Sequence, residues 1–205
     1  MESDHTDIGK RVREIPCIHD LEVRRKGVAQ FDDYAQILSY PMPPLELLAK
    51  GEQVEKYAKL VNDGFADICE KYPNLKIITH HSGGIAPMLE GRIGPGWDQL
   101  GARISDEDLS KVLKSLKKRP LDYFKHDFYT DTAVFGGVPA TQAGLAFYDL
   151  DKIVFASACP FDPERGTMYT RETLRILEGI DLPKADKEDI WHGNLEAITG
   201  VKFPS

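Results

Sequence analysis

A chain of 205 residues, 41% hydrophobic and 29% charged, suits one sizeable globular domain. Its formal net charge of −7, without any basic stripe interleaved with aromatics, excludes a nucleic-acid or anionic-membrane footprint. No apolar run reaches the roughly 18–20 residues of a membrane span, and the polar start MESDHTDIGKRVRE has no signal-peptide core.

The three cysteines, Cys17, Cys69 and Cys159, form no CxxC pair, so neither a disulfide scaffold nor a zinc ribbon is indicated. A reducing cytoplasm is the expected compartment. The first fifteen residues are polar and predict no packed element. The short run Gln36–Tyr40 reads as a strand ended by Pro41, Pro43 and Pro44. LELLAK then suits a loop opening into a helix. From Val54 to Glu70 apolar residues recur mainly at spacings of three and four, which predicts an amphipathic helix stopped at Tyr72-Pro73.

A strand over Lys76–His81 leads into Gly83-Gly84, and helices are expected at Ile85–Arg92 and Ser105–Leu116. A second strand over Phe128–Asp131 precedes a helix over Pro139–Tyr148. KIVFASACPF, β-branched and aromatic before its small residues, predicts a strand over Lys152–Ser157. Helices over Thr167–Glu178 and Lys184–Thr199 follow it. Four strands alternating with helices argue for an α/β architecture with a parallel sheet, whose chemistry gathers at the carboxyl ends of its strands. Ser39-Tyr40, His80-His81, Asp131 and Ser157-Ala158-Cys159 occupy those ends.

Each polar candidate has a structural alternative. His80 and His81 are catalytic or metal-binding groups, or strand-end caps bonded to backbone; adjacent strand residues point to opposite faces. Asp131 binds substrate, or it caps a helix or accepts a buried hydrogen bond. Cys159 has no identifiable partner histidine and reads as a small hydrophobe. The run Lys114–Arg119 reads as a solvated helix end.

Several blocks in combination carry a resemblance: IITHHSGGIAPMLEGRIGPGWDQLG, RPLDYFKHDFYTDTAVFGG, IVFASACPFDPERGTMYTRETLRILEGIDLP and DIWHGNLEAITG. Together with PCIHDLEVR, QILSYPMPPLELLA and NDGFADICEKYP, they resemble an amidohydrolase-related family. The nearest branch is that of aminocarboxymuconate-semialdehyde decarboxylase and γ-resorcylate decarboxylase. The resemblance implies a (β/α)8 barrel of the metal-dependent hydrolase type and one divalent metal, commonly zinc. It also implies non-oxidative decarboxylation of an aromatic or conjugated carboxylic acid. In the family's H-x-G-G motif the catalytic acid/base falls on His81. His80, Arg92 and Asp131 are then candidates for substrate binding, with a structural salt bridge the alternative for Arg92.

The sequence departs from the family in ways that bear on chemistry. The eighth-strand metal ligand, an aspartate in the family, falls on Ala158, and a methyl group cannot coordinate a cation. Asp162 lies four residues further on, past a proline. The first-strand HxH pair is absent; His5-Thr6-Asp7 is its sole echo. A fifth-strand histidine is absent too. CEKYPNLKIIT runs straight from a helix into a strand where the family carries further βα units. The expected architecture is therefore an incomplete barrel of about four recognisable parallel strands, a single domain with an early-barrel segment over 1–73 and the carboxyl half over 74–205. The chain would be N-terminally truncated and internally deleted, or misjoined at residues 70–76. The implied function is a metal-dependent carboxy-lyase that is impaired in this chain and binds no metal. A remnant serving as a binding or interaction module is the first alternative, and a hydrolase using metal-bound water the second. The implied partner is a small carboxylic acid, with neither nucleic acid nor membrane involved and with dimerisation open.

Overall fold

The sheet has three short strands, all parallel and lying in chain order: β1 (Ile78–Thr79), β2 (Tyr129–Asp131) and β3 (Ile153–Val154). In register, Thr79 stands opposite Thr130 and Asp131 opposite Val154. These features come from a computed structural model that describes residues 14–31, 50–100, 102 and 109–203. Parallel strands in unbroken chain order with helical connections match the winding of a β/α barrel. The sheet of the Lys76–Ser205 unit is an incomplete portion of such a barrel, and three of the four expected strands are present. The fourth, Gln36–Tyr40, lies outside the described residues.

The strands are shorter than their apolar runs predict, and the reason lies in where their backbone groups bond. Beyond Val154, the Phe155 N–H donates to the Ile190 carbonyl at 2.9 Å rather than to a strand. The Ala156 N–H donates to Thr132 Oγ1 at 3.0 Å, and that hydroxyl donates back to Ala156 O. Side-chain and loop partners replace the ladder while leaving the buried backbone satisfied. Within the sheet Thr79 Oγ1 donates to Tyr129 O and Thr130 Oγ1 to Thr79 O, so the buried hydroxyls are satisfied across the strands.

Two compact units are distinguished, Met1–Leu75 and Lys76–Ser205. In the first, helices α1 (Pro16–His19) and α2 (Leu21–Val28) meet at Asp20, whose Oδ1 accepts from Glu22 and Val23 N–H and caps α2. The segment 16–28 is therefore helical although its composition predicts no such element. Helix α3 (Glu52–Lys71) matches the expected amphipathic segment and extends it at both ends.

In the second unit the expected helix Ile85–Arg92 is not formed as predicted. A 3-10 turn at Pro87–Leu89 comes first, and helix α4 runs over Glu90–Asp98. The left-handed backbone at residues 81–84, followed by Pro87, delays the helix by several residues. Of Ser105–Leu116, the described part forms α5 (Ser110–Ser115). A short helix α6 (Pro120–Asp122) continues as a π turn, Tyr123–Asp127, into β2. Helices α7 (Val138–Phe147) and α8 (Thr167–Gly179) lie close to their predicted bounds. The expected single helix Lys184–Thr199 is divided into α9 (Lys184–Glu188), a π turn (Asp189–Gly193) and α10 (Asn194–Thr199). Asn194 Nδ2 donates to Leu150 O and Ile153 O at 2.8 and 2.7 Å, so it moors that segment to β3. Leu121, Phe147, Tyr148, Ile153, Leu177 and Ile190 form the buried core of this unit.

The run Lys114–Arg119 is more than a solvated helix end. Lys118 pairs with Asp127 at 2.7 Å, and the Arg119 guanidinium forks onto Asp98. Exposed pairs of this kind contribute little, typically about 0–1 kcal/mol.

Near the carboxyl terminus, the Lys202 ammonium at 2.5 Å and the Phe203 N–H at 3.1 Å hold the Glu196 carboxyl below the usual carboxylate range. A depressed carboxylate contributes stability above its unfolded value, about 4.5, and that contribution is lost as pH falls through the folded value. Acidification below about 4.5 should therefore release residues 200–203 before the core unfolds. Amide exchange against pH should show this in the native chain and not in Glu196→Gln, where the segment should be loose throughout.

Candidate acid–base site at the strand ends

β1 ends in four successive residues with left-handed backbone: His81 (φ 57), Ser82 (φ 53), Gly83 (φ 73) and Gly84 (φ 64). For residues with a Cβ that conformation costs about 1–2 kcal/mol each, so something must hold it. The 83 and 84 N–H groups close back onto His80 O and His81 O at 3.1 and 2.9 Å. Ser82 Oγ donates to Asp131 O at 3.1 Å. Glycine is required at 83 because a Cβ there would collide with the hydroxyl of Tyr148, which is buried. The HSGG sequence is thus a left-handed turn that seats the two histidines, rather than a simple entry into a helix.

Asp131, at the end of β2, is only 3% exposed. Its Oδ1 accepts from His81 N–H at 2.7 Å and from Ala133 N–H at 3.0 Å, and its Oδ2 lies 3.0 Å from His80 Nδ1. His81 Nδ1 lies 2.7 Å from the Ala133 carbonyl. A carbonyl can only accept, so His81 Nδ1 carries the hydrogen and the neutral ring presents Nε2 as a lone pair. A carboxylate likewise only accepts, which gives His80 the same tautomer. Both histidines are exposed, the His80 side chain at 71%. Two imidazoles with outward-facing basic nitrogens and inward-facing anchors can take up or deliver protons.

Phe135, also left-handed (φ 57), stands beside His81 with ring centroids 5.3 Å apart, and stacks on Tyr169 at 4.2 Å. Left-handed backbone recurs at Ala158 (φ 58), past the end of β3. Non-glycine residues held in this way cluster where a fold positions functional groups.

The structure brings His80, His81 and Asp131 together; Arg92 makes no hydrogen bond or ion pair with them. It is exposed on α4 and makes no ion pair among the described residues, so the structural salt bridge is not observed there. Asp131 spends its oxygens on the two histidines and Ala133. Asp162, 6% exposed, spends its own on the loop that opens α8. Its Oδ1 accepts from Glu164 and Gly166 N–H, and its Oδ2 from Tyr169 N–H. That role was readable in part, since aspartate before proline with a glycine four residues on is turn chemistry. Asn194 and the Ala133 carbonyl carried no such signal.

The family model described as Amidohydrolase matches residues 63–198, about two thirds of the chain. The chain belongs to the amidohydrolase family. Solved structures similar to it include 4-oxalomesaconate hydratase from Rhodopseudomonas palustris, at 23% identity over 65% of this chain and 37% of that one, with a TM-score of 0.45. Another is 5-carboxyvanillate decarboxylase from Novosphingobium aromaticivorans, complexed with manganese and 4-hydroxy-3-methoxy-5-nitrobenzoic acid. It is 20% identical over 65% and 35% of the two chains, with a TM-score of 0.50. A third, dihydroxybenzoic acid decarboxylase from Polaromonas sp. JS666 with bound manganese and 2-nitroresorcinol, shares 23% identity over 63% and 35%, at 0.46. The chain therefore spans little more than a third of the length of these structures. None of the curated proteins compared with it matches.

The sequence resemblance implies a divalent metal, and the donor set here tests that expectation. Among the described residues no three histidine, cysteine or acidic side chains gather to hold a cation. The oxygens of Asp131 and Asp162 are taken by protein donors, and position 158 offers a methyl group. The described residues do not fit the metal. Among them, no helix is long and apolar enough to cross a membrane.

Asp162→Ala should remove the acceptor of three backbone N–H groups at the start of α8. Stability should fall by roughly 2–4 kcal/mol in chemical denaturation, as expected for buried donors left unmatched. Unchanged stability would mean that water replaces the carboxylate at no cost.

Proposed function

We propose that this chain carries the proton-transfer end of a decarboxylase-type site, with His81 as the acid/base and an aromatic or conjugated carboxylic acid as its ligand. The supporting observation is the His81 ring itself. Its Nδ1 is anchored on Ala133 O, its Nε2 faces outward, and its backbone is held left-handed against Asp131. In the carboxy-lyase reading, His81 takes up a proton from solvent on Nε2 and, as imidazolium, delivers it to the carbon that bears the carboxylate, returning to its neutral tautomer. The C–C bond then breaks, its electron pair restores the conjugated system, and carbon dioxide leaves. Arg92, exposed and without an ion pair among the described residues, is the proposed carboxylate partner, and His80 lines the same strand end.

Full carboxy-lyase activity in this family is proposed to need a divalent cation, zinc or manganese, that the described residues do not hold. A single acid/base residue supplies only about 10²–10⁴-fold. The chain by itself is therefore proposed to be impaired. A second reading, a binding module without turnover, is favoured by Ala158 at the ligand position, since it would leave carboxylate recognition intact.

The purified chain, supplied with zinc or manganese, should retain less than one equivalent after gel filtration and release no carbon dioxide from 2,6-dihydroxybenzoate above the buffer rate. Ala158→Asp should not restore turnover. Stoichiometric metal with turnover abolished by His81→Asn would overturn the impairment while upholding His81. Titration with 2,6-dihydroxybenzoate should move the His81 side-chain resonances in nuclear magnetic resonance spectra. A spectrum that stays still at saturating ligand would remove the carboxylic-acid reading.

A further inference from the structure

The Asp131 carboxylate does two separable things, and the second involves a residue to which the family motif gives no proton-transfer role. Through Oδ1 it fixes backbone: the His81 N–H at 2.7 Å and the Ala133 N–H at 3.0 Å. Through Oδ2 it fixes a ring, the His80 imidazole, at Nδ1 and 3.0 Å. We propose that Asp131 is the positioning residue of a paired-imidazole acid–base site, in which His80 is a second proton carrier beside His81. This rests on the reading of His81 as an acid/base.

The geometry argues against a mere strand cap. A cap needs one oxygen and a backbone donor, and Oδ1 already provides that. Oδ2 is turned to the exposed ring of His80, whose side chain is 71% open to solvent while the carboxylate side chain is 5% open. An exposed imidazole has water available on every side, so a fixed orientation needs a built partner. The two rings are held by different acceptors, a carboxylate for His80 and the Ala133 carbonyl for His81. Their centroids lie 6.1 Å apart, close enough for one small ligand to reach both. Each anchor places the hydrogen on Nδ1 and leaves Nε2 basic, so one ring can donate a proton as imidazolium while its neighbour accepts one. Histidine free in water favours the opposite tautomer, with hydrogen on Nε2, so the arrangement has a spectroscopic signature.

The difference between the two acceptors supplies the test. In Asp131→Asn the amide oxygen can still accept from His81 and Ala133 N–H. The amide NH2 then faces His80 Nδ1, and a donor there forces His80 to carry its hydrogen on Nε2. Long-range nitrogen–proton correlation spectra should be recorded at about pH 8, above the ordinary imidazole value of about 6.5. In the native chain both rings should show hydrogen on Nδ1 and a bare Nε2. In Asp131→Asn, His80 alone should invert while His81 keeps its tautomer. Where such a change inverts a catalytic histidine, the rate falls by about 10⁴-fold, so the tautomer is the functionally relevant readout.

A native His80 with hydrogen on Nε2 would overturn the proposal, as would a His80 that does not respond to Asp131→Asn. Inversion of both rings in the variant would overturn the division between backbone and ring anchoring. Should the variant fail to fold, the native tautomers still decide the matter. None of these outcomes depends on turnover or on 2,6-dihydroxybenzoate, so failure here is distinguishable from failure of the carboxylic-acid reading.

Discussion

One buried carboxylate holds the strand-end arrangement together. Asp131 sits at the end of β2, where the sheet ladder stops and the loop begins, and its oxygens accept from groups on two neighbouring strand ends. Without those hydrogen bonds, little would keep His81 and Ser82 in left-handed backbone, a conformation that costs about 1–2 kcal/mol for each residue with a Cβ. The Ser82 hydroxyl adds a third tie by donating to the Asp131 carbonyl. Two histidines therefore project from a turn that is rigid because a neighbouring strand holds it.

The same logic explains why the other acidic residue near a strand end is not an equivalent resource. Asp162 lies past β3, where the family places chemistry, yet both its oxygens point back into the loop before α8. A carboxylate that satisfies three backbone donors has little left for a cation. With Asp131 similarly occupied and a methyl group at 158, the described strand ends offer two imidazoles but no cluster of three side chains that could hold a cation.

Position rather than composition decides the remaining polar groups. Thr132 serves as a bridge in place of a ladder hydrogen bond, and Asn194 moors the last helical segment to Ile153 O of β3 and to Leu150 O in the turn before it. Trp191 Nε1 and Thr173 Oγ1 are buried without a partner, and we have no physical account of either.

Much of this was legible in the residues. Hydrophobic periodicity located α3 to within a few residues, because an amphipathic stripe depends only on local spacing, and the helices expected at 139–148 and 167–178 match α7 and α8. The apolar runs located β1 and β3, and the HHSGG–GRI and ASACPFDPE blocks in combination carried the resemblance to the family. The site's partners were not legible. That Asp131 accepts from both His80 and His81 and that Ala133 lends its carbonyl depend on contacts across about 50 and 52 residues of chain. The delayed α4 and the π turn at Asp189–Gly193 belong with them. By itself the sequence determined the strongly patterned elements, α3, α7, α8, β1 and β3, and the family they belong to, since both follow from local pattern. Tertiary structure alone decided which oxygen meets which ring nitrogen, because that pairing exists only once β1 and β2 lie side by side.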